Sequence, residues 1–470
     1  MPAPASVAPV SVLARGWGWR FGGRSTPAVT DLDLAIEPGE RILLLGASGS
    51  GKSTLLAALA GVLGEDEGHV TGDLLLDGAP VASQRGRVGL VLQDPDNQVI
   101  LERIGDDVAF GCENLGLEQD EIWSRVADAL ARVGLNLPLS HSTSRLSGGQ
   151  KQRLALAGVL AMSPGLILLD EPTANLDPEG VREVRLAVQE VADATGATVV
   201  LVEHRVDIWQ DFATRTVVLG NTDGVWMPGM AAPAPKHSGQ PGSGDELLRA
   251  TALVSSYTTD SPRGMPLTAC VRSGEILALT GPNGSGKTAT ALSLAGLNKP
   301  RFGELTATAS LRGSVRSTEP ATWRSRDLLT RLGMVFQAPE QQFLTGRVWD
   351  ELAVGPRALR HSPAQVSARV DELLDRLHLA ELAQAHPFTL SGGQKRRLSV
   401  ATALATAPHV LVLDEPTFGQ DARTWVSLVD LVSELRSEGR GIVAVTHDEK
   451  FVAALADEIV QLRQPEVVSL

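Results

Sequence analysis

The segment Arg145-Leu146-Ser147-Gly148-Gly149-Gln150-Lys151 returns as Thr389-Leu390-Ser391-Gly392-Gly393-Gln394-Lys395, 244 positions later. At the same offset, Leu168-Leu169-Asp170-Glu171-Pro172-Thr173 returns as Val412-Leu413-Asp414-Glu415-Pro416-Thr417, and Leu92-Gln93-Asp94-Pro95 returns as Phe336-Gln337-Ala338-Pro339. One offset shared by three separated segments means a duplicated domain. Each half of the 470 residues is of the size that one hydrophobic core supports. Met230 to Gly244, rich in Pro, Gly, Ser and Ala and without periodicity, reads as a flexible linker. The expected layout is a first domain over 1–229, a linker over 230–246 and a second domain over 247–470. A linker of that length reaches about 50 Å when extended, enough for the two copies to face each other.

Within each copy the pattern is α/β, with a mixed or parallel sheet core expected. The run Arg41 to Leu45 leads through a glycine-rich turn to the apolar Leu55-Leu56-Ala57-Ala58-Leu59, which predicts strand, loop and helix. Glu275 to Thr280 and Ala289 to Leu294 repeat it. Leu166 to Leu169, Thr198 to Val202, Val410 to Leu413 and Ile442 to Val445 are short apolar runs of the kind buried parallel strands use. Ile122, Val126, Ala129, Leu130 and Val133 keep a helical period, and so do Val366, Val370, Leu373, Leu374 and Leu377, predicting a helical subdomain in each copy.

Composition excludes several classes. The longest stretches without Asp, Glu, Lys or Arg, Leu154 to Leu169 and Leu398 to Leu413, fall short of the roughly 20 apolar residues of a spanning helix. The N-terminal stretch has no basic region of the secretory kind, so a cytosolic chain is expected. The two cysteines, Cys112 and Cys270, stand outside any metal-ligand spacing. A net charge of −13 weighs against nucleic-acid binding and suits basic partner segments.

The chemistry sits in the glycine-rich turns. Gly46-Ala47-Ser48-Gly49-Ser50-Gly51-Lys52-Ser53 and Gly281-Pro282-Asn283-Gly284-Ser285-Gly286-Lys287-Thr288 both match G-x-x-x-x-G-K-[ST] between a strand and a helix. The loop N–H groups and the helix N-terminus point at phosphate oxygens, and Lys52 and Lys287 bring charge to the β- and γ-phosphates. Thr54 adjoins the set in the first copy. Ser53 and Thr288 are predicted Mg2+ ligands, with Asp170 and Asp414 at strand ends as the carboxylates that hold the ion. Glu171 and Glu415, one residue further on, are placed to orient or deprotonate the attacking water. His204 and His447 each end the strand that follows the acidic one.

P-loop, glutamine loop, LSGGQ, strand-Asp-Glu and strand-terminal His, in that order and twice, resemble the nucleotide-binding domains of ATP-binding cassette (ABC) proteins. The resemblance covers nearly the whole chain, and LSGGQ is its most diagnostic piece. It implies ATP hydrolysis with Mg2+ and a head-to-tail sandwich of the two copies, an intramolecular pseudo-dimer. One site would combine Lys52, Ser53, Gln93, Asp170, Glu171 and His204 with Ser391, Gly392, Gly393 and Gln394. The other would combine Lys287, Thr288, Gln337, Asp414, Glu415 and His447 with Ser147, Gly148, Gly149 and Gln150. Gln93 and Gln337 are implied to reach the metal, and Phe21 and Tyr257 match the aromatic that stacks on adenine. Both copies keep the Glu and His that hydrolysis needs, so two active sites are expected. After the acidic strand the first copy has Asn175-Leu176-Asp177 as the family does, whereas the second has Gly419-Gln420-Asp421, which sets equal turnover in question.

Narrower features follow the glutamines: Gln93-Asp94-Pro95-Asp96-Asn97-Gln98 and Gln337-Ala338-Pro339-Glu340-Gln341-Gln342, then Asp107-Val108-Ala109-Phe110-Gly111 and Glu351-Leu352-Ala353-Val354-Gly355. These are similar to the ATPases of energy-coupling factor importers, which take up vitamins or cobalt and nickel ions. That likeness implies a transmembrane coupling protein, a small substrate-binding membrane protein, and a peripheral position on the cytoplasmic face of the membrane. The rival is a soluble tandem ABC ATPase acting on ribosomes or DNA. Against it stand the short linker, the absence of a zinc-binding cysteine cluster and the acidic charge. A nucleotide sensor without turnover would lack Glu171 or Glu415, and both are present.

Overall fold

The computed structural model describes residues 8–23, 26–47, 49–64, 66–84, 86–174, 176–221, 225, 244–255, 266–417 and 419–463. Ser48, Asn175, Tyr257 and residues 230–243 lie outside the described residues. The chain divides into two compact units, Met1–Met230 and Ala231–Leu470. Glu246, expected as the last linker residue, is already the first residue of a strand and pairs with Arg272. The ladder extends past it, because Asp245 O accepts a hydrogen bond from Ser273 N at 2.9 Å.

In the first unit, β1 (Val12–Phe21) and β2 (Val29–Ile36) precede β3 (Arg41–Leu45), which leads into α1 (Lys52–Leu59). Next come β4 (Gly68–Leu76), β5 (Ala79–Pro80) and β6 (Val88–Val91), then α2 (Ile104–Asn114), α3 (Gln119–Arg132) and α4 (Gly148–Ala161). The unit ends with β7 (Leu166–Asp170), α5 (Pro178–Thr195), β8 (Thr198–Val202), α6 (Val206–Trp209) and β9 (Arg215–Val218). The apolar runs form one parallel sheet in the order β6-β7-β8-β3-β9. A second, antiparallel sheet, β2-β1-β4-β5, was not foreseen as an element. Its alternation is broken in the sequence because β1 shifts register around Trp17, and both Trp17 and Trp19 turn inward.

The second unit repeats the plan. β10 (Glu246–Val254), β11 (Leu267–Arg272) and β13 (Phe302–Ala307) make the antiparallel sheet in the order β11-β10-β13. β12 (Ile276–Thr280), β14 (Leu332–Val335), β15 (Val410–Asp414), β16 (Gly441–Val445) and β17 (Glu458–Gln461) make the parallel one, β14-β15-β16-β12-β17. Its helices are α7 (Lys287–Leu294), α8 (Ala309–Arg312), α9 (Ser325–Leu329), α10 (Val348–Ala358), α11 (Pro363–Arg376), α12 (Gly392–Leu404), α13 (Ala422–Ser437) and α14 (Glu449–Leu455).

The predicted helical periods lie on α3 and α11. α3 buries Ile122, Val126, Ala129 and Leu130, and α11 buries Val366, Val370, Leu373 and Leu374. Burial of each large aliphatic side chain contributes roughly 1.5–3 kcal/mol. α3 packs with α2 and α4, and α11 with α10, which itself packs on α12. Among the described residues no helix is long and apolar enough to cross a membrane.

Candidate functional site

Because the five central strands of each unit run parallel, their carboxyl ends share one edge, and loops leaving that edge meet there. In the first unit the P-loop leaves β3, Gln93 follows β6, Glu171 follows β7 and His204 follows β8. The second unit brings the loop after β12 together with Gln337, Glu415 and His447 in the same way.

Each P-loop turns into its helix through a left-handed glycine. Gly51 has φ 91 and Gly286 φ 89, a conformation that an L side chain rarely adopts, and a Cβ on Gly51 would stand 2.4 Å from Val29. Lys52 folds back over its loop, its Nζ donating to Gly46 O at 2.8 Å and Ala47 O at 3.1 Å. Lys287 does the same to Gly281 O at 2.8 Å and Pro282 O at 2.9 Å. Gly49, Ser53 and Thr54 follow the same turn in the first unit, and Gly284 and Thr288 in the second.

Of the carboxylates behind the P-loops, Asp414 is buried and Asp170 partly buried. Burial raises the pKa of Asp170 to about 6, against the opposing Ser53 hydroxyl. Burial likewise raises that of Asp414, opposed by Thr288 and the charge of Lys287. Glu171 and Glu415 have φ 45 and φ 48, uncommon for residues with a side chain. Each is fixed there by a backbone bond to the end of the next strand, Glu171 N to Val202 O at 2.9 Å and Glu415 N to Val445 O at 2.8 Å.

The two units then differ. In the first, Gln93 Nε2 donates to Glu171 Oε2 at 2.8 Å, and His204 Nε2 lies 3.2 Å from Glu171 Oε1. Burial disfavours the charge on His204, but Glu171 outweighs it and holds the imidazole above its usual range. In the second, His447 Nε2 is 3.6 Å from Glu415 Oε1 and 3.1 Å from Asn283 Oδ1, while His447 N donates to Glu415 Oε2 at 3.2 Å. Burial pushes Glu415 up to about 7.

Ser147 and Ser391 each cap a helix, α4 or α12, in a reciprocal box with Gln150 or Gln394. Gly148, Gly149, Gly392 and Gly393 form the first turns, a helix end of the kind that can face an anion. Phe21 ends β1 and packs edge-on against Trp19, with ring centroids 6.1 Å apart, at the rim of the core.

Several working residues carried no assigned role in the sequence reading. Gln98 clasps the first glutamine loop, accepting from Leu92 N at 2.9 Å and donating to Leu90 O at 2.7 Å. Gln342 clasps the second, accepting from Phe336 N at 3.0 Å and donating to Met334 O at 3.2 Å. Asp107 and Glu351 each accept two backbone N–H bonds just beyond, from Ile100 and Leu101 and from Leu344 and Thr345. Their identity or likeness at the repeat offset was the available signal. Glu203, fully buried, accepts from the Thr173 hydroxyl at 2.5 Å and His204 N at 3.0 Å, and burial raises its pKa. Thr446 stands at that place in the second unit.

Two P-loops, each backed by a largely buried strand-end Asp-Glu pair and facing a strand-end His, define a duplicated P-loop ATPase. The chain belongs to the ABC transporter family, which matches residues 29–174 and 265–418, and it is a tandem ATP-binding ATPase of that family. YkoD of Bacillus subtilis, provisionally named as an HMP/thiamine import ATP-binding protein, is 33% identical over 93% of this chain and 87% of its own length. An ABC transporter ATP-binding protein of Bifidobacterium longum, also provisionally named, is 35% identical over 95% of this chain, which spans 63% of that relative's length. The solved structure of RNase-L Inhibitor shares the fold at 17% identity, with a TM-score of 0.61 over 96% of this chain and 90% of its own.

Proposed function

We propose that this chain is the ATP-hydrolysing subunit of an energy-coupling factor type importer, working from the cytoplasmic face of the membrane. It would drive uptake of a vitamin or transition-metal ion through a transmembrane coupling protein and a small substrate-binding membrane protein. The observation that carries this is the construction of the two glutamine loops. Each is clasped from inside by Gln98 or Gln342, and each leads to an apolar residue facing solvent, Ile100 at 61% and Leu344 at 76% exposure. Exposed apolar side chains on a braced loop suit a protein partner. Gln93 links such a loop to Glu171 directly, so a push on the loop would reach the hydrolytic end. The HMP/thiamine import that YkoD is provisionally named for agrees with this reading.

In this proposal two domains, 1–229 and 247–470, carry one P-loop each. Lys52, Ser53, Thr54 and the loop glycines hold phosphates in the first, and Lys287 and Thr288 with Asn283 in the second. Glu171 and Glu415 act on the attacking water, with His204 and His447 holding them or the γ-phosphate. Phe21 stacks on adenine, and the signature residues from Ser147 to Gln150 and Ser391 to Gln394 bind phosphate.

Among the described residues the two oxygens of buried Asp414 have no close hydrogen-bond partner, and the Thr288 hydroxyl stands beside them, a pairing that suits a hard divalent cation. Asp170 with Ser53 is the matching pair, and Gln93 and Gln337 are the further donors. Mg2+ bound there would neutralise charge on the transferring phosphate.

The test is to purify the tagged chain from gently solubilised membranes of its host and identify its companions by mass spectrometry. A multi-span coupling protein with a small membrane protein is expected. Recovery only with ribosomal or DNA-repair proteins would overturn the importer and leave the ATPase.

A further inference from the structure

The signature helices of the two units differ on the face turned toward the glutamine loop. In the second unit, Arg396 is 2% exposed, and its guanidinium donates to Phe336 O at 2.8 Å and Gln337 O at 2.7 Å. One turn on, the Ser399 hydroxyl donates to Gln342 Oε1. A further turn on, Thr402 Oγ1 accepts from Gln342 Nε2 at 3.4 Å. Positions i, i+3 and i+6 of α12 thus form one polar stripe, and all of it grips the glutamine loop.

At the matching places on α4 the first unit has Gln152, Ala155 and Gly158. Ala and Gly offer no side-chain hydrogen bond, and the buried Gln152 Nε2 has no partner among the described residues. What the units share is an outer pair, Lys151 with Asp96 and Lys395 with Glu340. Ion pairs with such exposed carboxylates hold little.

We propose that Arg396, Ser399 and Thr402 are positioning residues that lock the second glutamine loop onto its own signature helix, so that Gln337 and that helix move as one body. The first loop, without the stripe, is held to α4 more weakly, through the outer Lys151–Asp96 pair. A guanidinium bridging two successive carbonyls fixes backbone direction as well as position, which a single amide donor at Gln152 does not. The lock therefore sets the approach of Gln337 to the reacting end, and it leaves the P-loop untouched.

Hydrogen exchange on the full-length, nucleotide-free chain tests this within one molecule. Peptides covering 336–343 should exchange about tenfold more slowly than those covering 92–99. Arg396→Gln, Ser399→Ala and Thr402→Gly together install the residues that the first unit already carries. In that variant exchange over 336–343 should rise to the level of 92–99, with β15 and β16 unchanged. Arg396→Lys alone should give an intermediate rate. With Glu171→Gln added to isolate the second copy, the triple variant should lose kcat several-fold at unchanged KM for ATP. Equal exchange of the two loops in the wild type would overturn the lock. So would a rise spread across the whole unit, the mark of lost stability alone, or a loss carried entirely in KM.

Discussion

The first unit holds the glutamate after its acidic strand mainly with side chains, the second mainly with backbone, the ring of His447 standing further off. Gln93 and His204 both touch Glu171, and Glu203 sits behind them, bonded to the backbone of His204. In the second unit Glu415 takes its bond from the backbone of His447, Thr446 replaces the second carboxylate, and the histidine ring turns toward Asn283. Arg396 fixes the loop that bears Gln337. Two copies with the same P-loop plan and the same LSGGQ segment therefore differ, one with its glutamine bonded to the glutamate and one with its glutamine loop braced by a buried arginine. The two copies agree in the P-loop and LSGGQ segments and diverge in the groups around them.

The largest expected effect tests whether both ends work. Glu171→Gln with Glu415→Gln should still bind ATP but lose about 100-fold or more of steady-state phosphate release. Near-normal turnover in the double variant would remove both glutamates from the mechanism. The single variants measure the difference between the units. With Gln93 and His204 already on Glu171, the first end should carry more of the turnover, so Glu171→Gln should cost more than Glu415→Gln. Equal losses would mean that the two arrangements are equivalent in effect.

The next effect separates the units by pH. Glu415 has its pKa raised by burial from 4.5 to about 7. The folded chain keeps this proton where the unfolded chain has lost it. Its contribution to stability is thus fully present below 4.5 and is lost as pH rises through about 7. Glu415→Gln removes that loss. The nucleotide-free variant should gain stability over the wild type, on the order of 3 kcal/mol above pH 7, shrinking toward acid pH. Thermal unfolding of both proteins on either side of neutrality checks it, and a gain independent of pH would mean that Glu415 is not held protonated by its burial.

These differences also mark where sequence reasoning stopped. The P-loops, the LSGGQ caps and the strand-end carboxylates were legible because local backbone fixes their chemistry: a glycine turn, a helix N-terminus, the end of an apolar run. The antiparallel sheets were not, since the register shift in β1 breaks the period of two. Gln93 and Gln98 are the same residue type five positions apart, yet one reaches out to Glu171 and the other turns in to clasp its own loop. Only tertiary packing decides which. In the sequence Arg396 is the middle of three basic residues after LSGGQ, Lys395-Arg396-Arg397. Its burial, and burial's lowering of its pKa to about 10, appear only when the carbonyls of Phe336 and Gln337 are placed beside it.

The smallest effect sharpens the comparison furthest. Lys151 and Lys395 leave their helices toward Asp96, 66% exposed, and Glu340, 40% exposed. Burial opposes the charge on Glu340, but the bond from Lys395 wins and lowers its pKa. Alanine at either lysine should cost no more than about 1 kcal/mol of stability. The consequences for hydrolysis should nevertheless differ. Losing Lys395 leaves Arg396 and Ser399 still holding the second loop, so the rate through Glu415, measured with Glu171→Gln, should barely change. Losing Lys151 takes from the first loop a tie to α4 that Gln152, Ala155 and Gly158 do not replace, so the rate through Glu171, measured with Glu415→Gln, should fall two- to threefold, roughly. Identical responses would mean that the outer pair does the same work in both units, and that the buried stripe is packing rather than a lock.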